Sequence, residues 1–103
     1  MVEKTTAIEN AKAFIKDCIL KGIPVSSAWL FGSYAKGYAH EYSDIDLALV
    51  ADNFTLNFLN NNHETALLNY KYPEIEVHHF NTEIFEKDDP FINEIKRTGI
   101  KIY

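Results

Sequence analysis

Between Val25 and Val50 the chain runs through an apolar stretch, breaks at Gly32-Ser33, and turns through a polar segment. It then re-enters an apolar stretch at Asp44-Ile45-Asp46-Leu47. The second stretch alternates. Ile45, Leu47 and Leu49 share one parity, and Asp44 and Asp46 share the other. Period-two alternation makes Asp44–Val50 a half-buried strand, with branched apolar side chains on one face and two carboxylates on the other. Such a strand belongs to a sheet that is covered on the isoleucine–leucine face and meets solvent or cations on the aspartate face. The first stretch, Val25–Phe31, is β-leaning, with Trp29 as a packing residue. It feeds a short helical start at Tyr34-Ala35-Lys36. A strand that runs into a glycine-led helix start aims backbone N–H groups at one spot, and such a spot binds phosphate. Gly37 and Tyr38–Tyr42 turn the chain back. Ten residues separate Ser33 from Asp44. At ordinary usages of about 5–7% per residue type, chance gives this spacing in roughly one chain in a thousand. Alone, Gly32-Ser33 reads as a plain turn and Asp44/Asp46 as an exposed strand face; the combination reads as a site.

The rest of the chain supplies the frame. Thr6-Ala7-Ile8-Glu9 has the form of a capping box, with Thr6 as N-cap. Ile8, Ala11, Phe14 or Ile15, Cys18 and Ile19 then recur at helical spacing, which predicts an amphipathic helix over Thr6–Lys21. Gly22 and Pro24 end it. The segment Ala51–Tyr72 is the least regular. Two short helices or one broken helix are expected there, with Asn62 capping His63–Tyr70 and His63 on the surface. A third strand follows Pro73, from Glu74 to Phe80. Its Ile75 and Val77 take one face, and Glu76 and His78 the other. If Ile75 and Val77 join Ile45 and Leu47, Glu76 lies with Asp44 and Asp46. Glu74 has the same parity but sits at the strand's frayed start, so Glu76 is preferred. His78 falls on the carboxylate face, where it either touches the acceptor or merely sits on the sheet; His79 falls on the core side. A helical turn around Ile84 and Phe85 comes next. Asp89-Pro90 then opens a helix through Ile92 and Ile95 that Gly99 ends. The tail Ile100–Tyr103 alternates like a short strand, docking on the sheet edge or on a partner.

At 103 residues the chain is expected to form one domain, 1–103. The formal charge of -5 should repel nucleic acid as a direct partner. No apolar run approaches about 18 residues, so no membrane span is expected. The N-terminus lacks the apolar core of a signal peptide. Cys18 is the single cysteine and reads as core packing, which fits a reducing cytoplasm.

Three carboxylates on one sheet face repel one another. Unit charges ~4 Å apart interact by about 4 kcal/mol at an effective dielectric of 20. A divalent cation removes that cost, and hard oxygen ligands suit Mg2+, with Mn2+ as the other option. Two such ions can stabilise both the attacking and the leaving oxygen of an in-line displacement at phosphorus. With the β- and γ-phosphates of a nucleoside triphosphate at Gly32-Ser33, the α-phosphate lies over the metals and pyrophosphate leaves. Lys36 adds positive charge near the phosphates, or else is a solvated helix residue.

On these residues the chain resembles a known family. Gly32-Ser33-Tyr34-Ala35-Lys36-Gly37 with Ser43-Asp44-Ile45-Asp46-Leu47 is similar to the signature of the DNA polymerase β-like nucleotidyltransferases, and the small size resembles their minimal (MNT) branch. Ile75-Glu76-Val77-His78 resembles the strand bearing the family's third carboxylate. Pro90-Phe91 through Gly99-Ile100 resembles the usual ending of these short proteins. The resemblance implies an α/β (α+β) fold, with a small mixed β-sheet, helices packed on one face and the active site on the other. It implies that Asp44 and Asp46 ligate two Mg2+ ions and that Glu76 ligates the catalytic one and helps activate the acceptor hydroxyl. Gly32, Ser33, Lys36 and Ser43 would bind ATP. Lys36 stands where the family often has arginine, which weakens bidentate phosphate binding.

Larger relatives hold the acceptor in a second domain, for which this chain has no room. Minimal members pair with a helical HEPN-type protein, a toxic ribonuclease that the MNT protein neutralises by attaching AMP to a tyrosine. The resemblance thus implies a cytoplasmic antitoxin in a hetero-oligomer. Two other readings remain. One is adenylylation of a small hydroxylated molecule such as an aminoglycoside, whose positive charge the anionic chain would suit. The other is a non-catalytic subunit that blocks its HEPN partner by occupying it.

Overall fold

A computed structural model describes residues 4–37, 44–55 and 65–103. Helix α1 (Lys4–Leu20) leads into strand β1 (Val25–Phe31) and the single turn of α2 (Ser33–Lys36). Strand β2 (Ile45–Ala51) follows. Residues 65–69 are helical, α3. Strand β3 (Ile75–Asn81), the short helix α4 (Thr82–Phe85), α5 (Pro90–Thr98) and the two-residue β4 (Ile100–Lys101) complete the order. The sheet order is β3-β2-β1-β4. β1 runs antiparallel to both β2 and β4, whereas β2 and β3 are parallel. The sheet is therefore mixed, as expected.

The predicted alternation decides what each face buries. Ala28 and Leu30 of β1, Ile45, Leu47 and Leu49 of β2, and Ile75 of β3 pack with Ala11, Phe14, Ile15 and Cys18 of α1. Fully burying a side chain such as Leu or Phe contributes about 1.5–3 kcal/mol, so this layer is the main source of stability. Asn10 of α1 reaches across to Glu74, Nδ2 donating to Oε1 at 2.9 Å. The α1 boundaries depart from expectation at the start. Lys4 is already helical, so Thr6 lies inside the helix and is not its N-cap. The end is as predicted: Gly22 N–H donates to the Ile19 carbonyl (3.0 Å) and Ile23 N–H to that of Cys18 (3.1 Å).

The opposite face is not left bare. Phe85 of α4 and Ile92 and Ile95 of α5 pack on Phe31, Ala48 and Val50, with Trp29 and Phe80 at the margin. Helices therefore lie on both faces, α1 on the first and α4 and α5 on part of the second. The reason is that β2 carries Ala48 and Val50 beyond Asp46 on the aspartate parity, and those apolar residues need cover. Asp89 caps α5, its Oδ1 accepting from Phe91 N (2.9 Å) and Ile92 N (3.1 Å), with Pro90 in the first turn. The tail docks on the free edge of β1: Ile102 N donates to the Ala28 carbonyl at 2.9 Å, and Ala28 N to that of Tyr103 at 3.2 Å. No described helix is long and apolar enough to cross a membrane. The expected cap Asn62, the surface residue His63 and the turn Tyr38–Tyr42 lie outside the described residues.

Candidate active site

The carboxylate end of the second face is built by one rung of the sheet. Phe31 of β1, Asp46 of β2 and Glu76 of β3 are register partners in sequence across the three strands. Asp46 is half-buried and Glu76 exposed. Parity had placed Glu76 on this face, and the structure separates it from Glu74. The latter precedes β3 and is engaged by Asn10 of α1. Asp44 is exposed and lies just before β2. It lines the same hollow as Glu76 and His78.

The tightest cluster among the described residues is Asp46, Glu76 and His78, whose ligand atoms all lie within 4.8 Å of one another. His78 Nε2 stands 3.4 Å from Asp46 Oδ1 and 3.9 Å from Glu76 Oε1. Asp44 is not part of that group. Two carboxylates and an imidazole at this spacing form a donor set suited to a divalent cation. The aromatic surround was not legible from pattern. Phe31 meets the His78 ring edge-to-face, centroids 4.9 Å apart, and Phe91 lies 5.7 Å from Phe31. Phe91 is 49% exposed beside the carboxylates. The available signal was that Phe31 immediately precedes Gly32 and that Phe91 follows the helix-opening Pro90.

Gly32 joins the Gly-Ser turn to the carboxylates. It opens α2 at φ 73°, ψ -149°, and a Cβ there would collide with Asp46 Oδ2. Only glycine lets the strand turn this close to the aspartate. Ser33 is the first residue of α2, and Tyr34, buried in the α1 layer, anchors that turn. Lys36 extends to α5, its Nζ 3.3 Å from Glu94 Oε1. Arg97 Nη2 donates to the same carboxylate at 2.7 Å. Arg97 first, and then Lys36, hold the Glu94 carboxyl below its usual range. Ser43 lies outside the described residues.

On the other side of β3, His79 is structural, as expected. Its Nε2 is 2.9 Å from Thr65 Oγ1, and its ring meets Phe54 at 4.9 Å. Burial, and to a lesser degree His78, pulls its pKa from 6.5 to about 4.

Residues 13–103 match the model of the family described as Polymerase beta, Nucleotidyltransferase. The chain belongs to that family. A probable protein adenylyltransferase MntA of Haemophilus influenzae is 40% identical over 47 residues, covering 46% of this chain and 40% of that protein. The match thus spans less than half the length of that curated relative. Among solved structures, a putative nucleotidyltransferase from Sulfolobus solfataricus superposes with a TM-score of 0.71 at 14% identity, over 95% of this chain and 80% of the other. An MNT antitoxin in complex with a tri-AMPylated Shewanella oneidensis HEPN toxin gives a TM-score of 0.58 at 18% identity, over 97% and 71%. At such identities the structural likeness speaks for the fold. That fold is the one the Gly-Ser and Asp-x-Asp motifs implied.

Proposed function

We propose that this chain is a divalent-metal-dependent nucleotidyltransferase that moves AMP from ATP to a hydroxyl of a helical HEPN-type partner, and so acts as the antitoxin of a pair. The observation that carries the reading is Gly32 held against Asp46, with Glu76 on the next strand. In this reading the place for the triphosphate lies beside the place for the metal. The names of the MntA relative and of the AMPylated HEPN complex support the acceptor class.

In this reading Gly32 and Ser33 receive the β- and γ-phosphates at the start of α2. Lys36 and Ser43 add contacts to the nucleotide. Asp44, Asp46 and Glu76 hold Mg2+ or Mn2+, as one ion or two. When bound, the cation neutralises charge at the α-phosphate and at the leaving pyrophosphate. Asp44, exposed just before β2, would complete the ligand set. Glu76 stands at the mouth of the site, where an acceptor hydroxyl arrives, and takes its proton as the new P–O bond forms. The bond from Pα to the bridging oxygen breaks, and pyrophosphate departs with that oxygen. A cytoplasmic setting, where ATP is plentiful and the lone Cys18 stays reduced, belongs to this reading.

The test is incubation of the chain with labelled ATP, Mg2+ and its co-purified HEPN-type partner, followed by intact-mass analysis. Mass added to the partner in AMP units is expected. It should disappear with the double variant Asp44→Asn/Asp46→Asn. A double variant that still neutralises the partner would replace this reading with that of a blocking subunit.

A further inference from the structure

Two residues beyond Glu76, on the same face of β3, stands His78. Its imidazole is aimed rather than loose. The Phe31 ring meets it edge-to-face at 67°, and Phe91 lies on the same ring at a centroid distance of 6.4 Å. Phe31 is also the register partner of Asp46, so one rung of the sheet sets both the carboxylate and the aromatic that orients the imidazole.

The distances argue about what the nitrogen is for. At 3.4 Å, Nε2 and Asp46 Oδ1 are farther apart than a good N–H···O bond of about 2.7–3.2 Å. Around a cation with bonds of about 2.1 Å, neighbouring ligand atoms sit ~3 Å apart and opposite ones ~4.2 Å apart. The observed 3.4 Å and 3.9 Å fall inside that range. A shared cation therefore needs only small side-chain movements. An imidazole nitrogen is a poor donor for Mg2+, a better one for Mn2+, and better still for the later transition metals.

We propose that His78 Nε2 is a protein ligand of the Asp46–Glu76 cation site and shifts its preference from Mg2+ toward Mn2+. This rests on the proposed function only in taking those carboxylates to bind a divalent cation. His78 then sets metal selectivity, and the aromatic pair Phe31 and Phe91 are positioning residues that act through it.

The experiment uses the full chain with Mn2+ alone, without nucleotide. Electron spin-echo envelope modulation reads nitrogen coordinated to Mn2+, and calorimetry reads the affinities for Mn2+ and Mg2+. The wild-type spectrum is expected to carry 14N modulation from bound imidazole. His78→Gln should lose it and weaken Mn2+ binding by about tenfold or more while changing Mg2+ binding less than about twofold. His78→Asn is the second variant should the first not fold, and the wild-type spectrum stands on its own. Bound Mn2+ without 14N modulation, or with modulation that survives both variants, overturns the ligand role and leaves the carboxylate site standing. No Mn2+ binding that Asp46→Asn abolishes overturns the carboxylate site as well.

Discussion

Gly32 and Asp46 approach so closely that no side chain fits between them: a Cβ on Gly32 would overlap Asp46 Oδ2. Gly32→Ala therefore has two separable consequences. The backbone at φ 73°, ψ -149° belongs to a region that only glycine visits readily. Forcing alanine there costs about 1–3 kcal/mol, or roughly 5–15 °C in Tm for a domain of this size. The added methyl also displaces the Asp46 carboxylate from its native position between Gly32 and Glu76, so AMP transfer should fall by about 10²-fold or more. Gly37→Ala is the control. It too has a positive φ, 82°, but no described residue lies within 4 Å of its added methyl. Its variant should lose comparable stability and keep activity. Equal activity losses in the two variants would mean that the Gly32–Asp46 contact has no special part in transfer.

The two glutamates at the start of β3 provide a second comparison. Glu76 faces Asp46 across the parallel pair, while Glu74 is held by Asn10 of α1. Glu76→Gln keeps size and shape but removes charge, and it should lower kcat/KM by about 10²–10³-fold. Glu74→Gln keeps an oxygen that can accept from Asn10, so its activity should stay within about twofold and its Tm should hardly move. Steady-state transfer assays on the two variants decide between them, and the reverse ranking would reassign the third carboxylate.

Much of this geometry was readable before any coordinates. The bounds of β1, the parity of Asp46 and Glu76, and the Asp89-Pro90 start of α5 are local features, and local features leave local marks. What was not readable depends on distant partners. Lys36 meets Glu94, 58 positions along the chain, and nothing near Lys36 announces that. The cover over Ala48 and Val50 comes from α4 and α5, whose apolar residues did not say which face they would take. Thr6 offered a good cap, but α1 extends past it to Lys4. A capping sequence permits a helix start without requiring one.

Cys18 should be chemically silent in the folded chain. It is fully buried in the α1 layer, and burial, with a smaller contribution from Asp17, pushes its thiol up to about 12. Thiolate is the reactive form, so at pH 8 a disulfide reagent such as Ellman's should react at least about 10²-fold more slowly than in denaturant. One equivalent should appear on unfolding. Rapid reaction of the native protein would show that α1 opens readily from the sheet.

His79 gives the fold a pH dependence whose direction follows from its surroundings. Its Nδ1 is buried with no hydrogen-bond partner among the described residues, and Nε2 meets Thr65. A charged ring would leave a buried N–H unpaired, so the folded chain keeps it neutral down to about 4, against 6.5 when exposed. Above 6.5 the ring is neutral in both states, and its contribution is fully present. Between 6.5 and about 4 the unfolded chain binds a proton that the folded chain refuses, so stability falls as pH falls. The ring is only partly shielded from water, which reduces the effect to about 1 kcal/mol by pH 5, or roughly 4–8 °C in Tm. Thermal melts of wild type and His79→Gln between pH 7 and 5, above the range where carboxylates titrate, read this difference. The variant should lose that part of the slope while still offering Thr65 a polar partner. Parallel slopes would mean that the imidazole is solvated in the native state and that its neighbours Thr65 and Phe54 do not close over it.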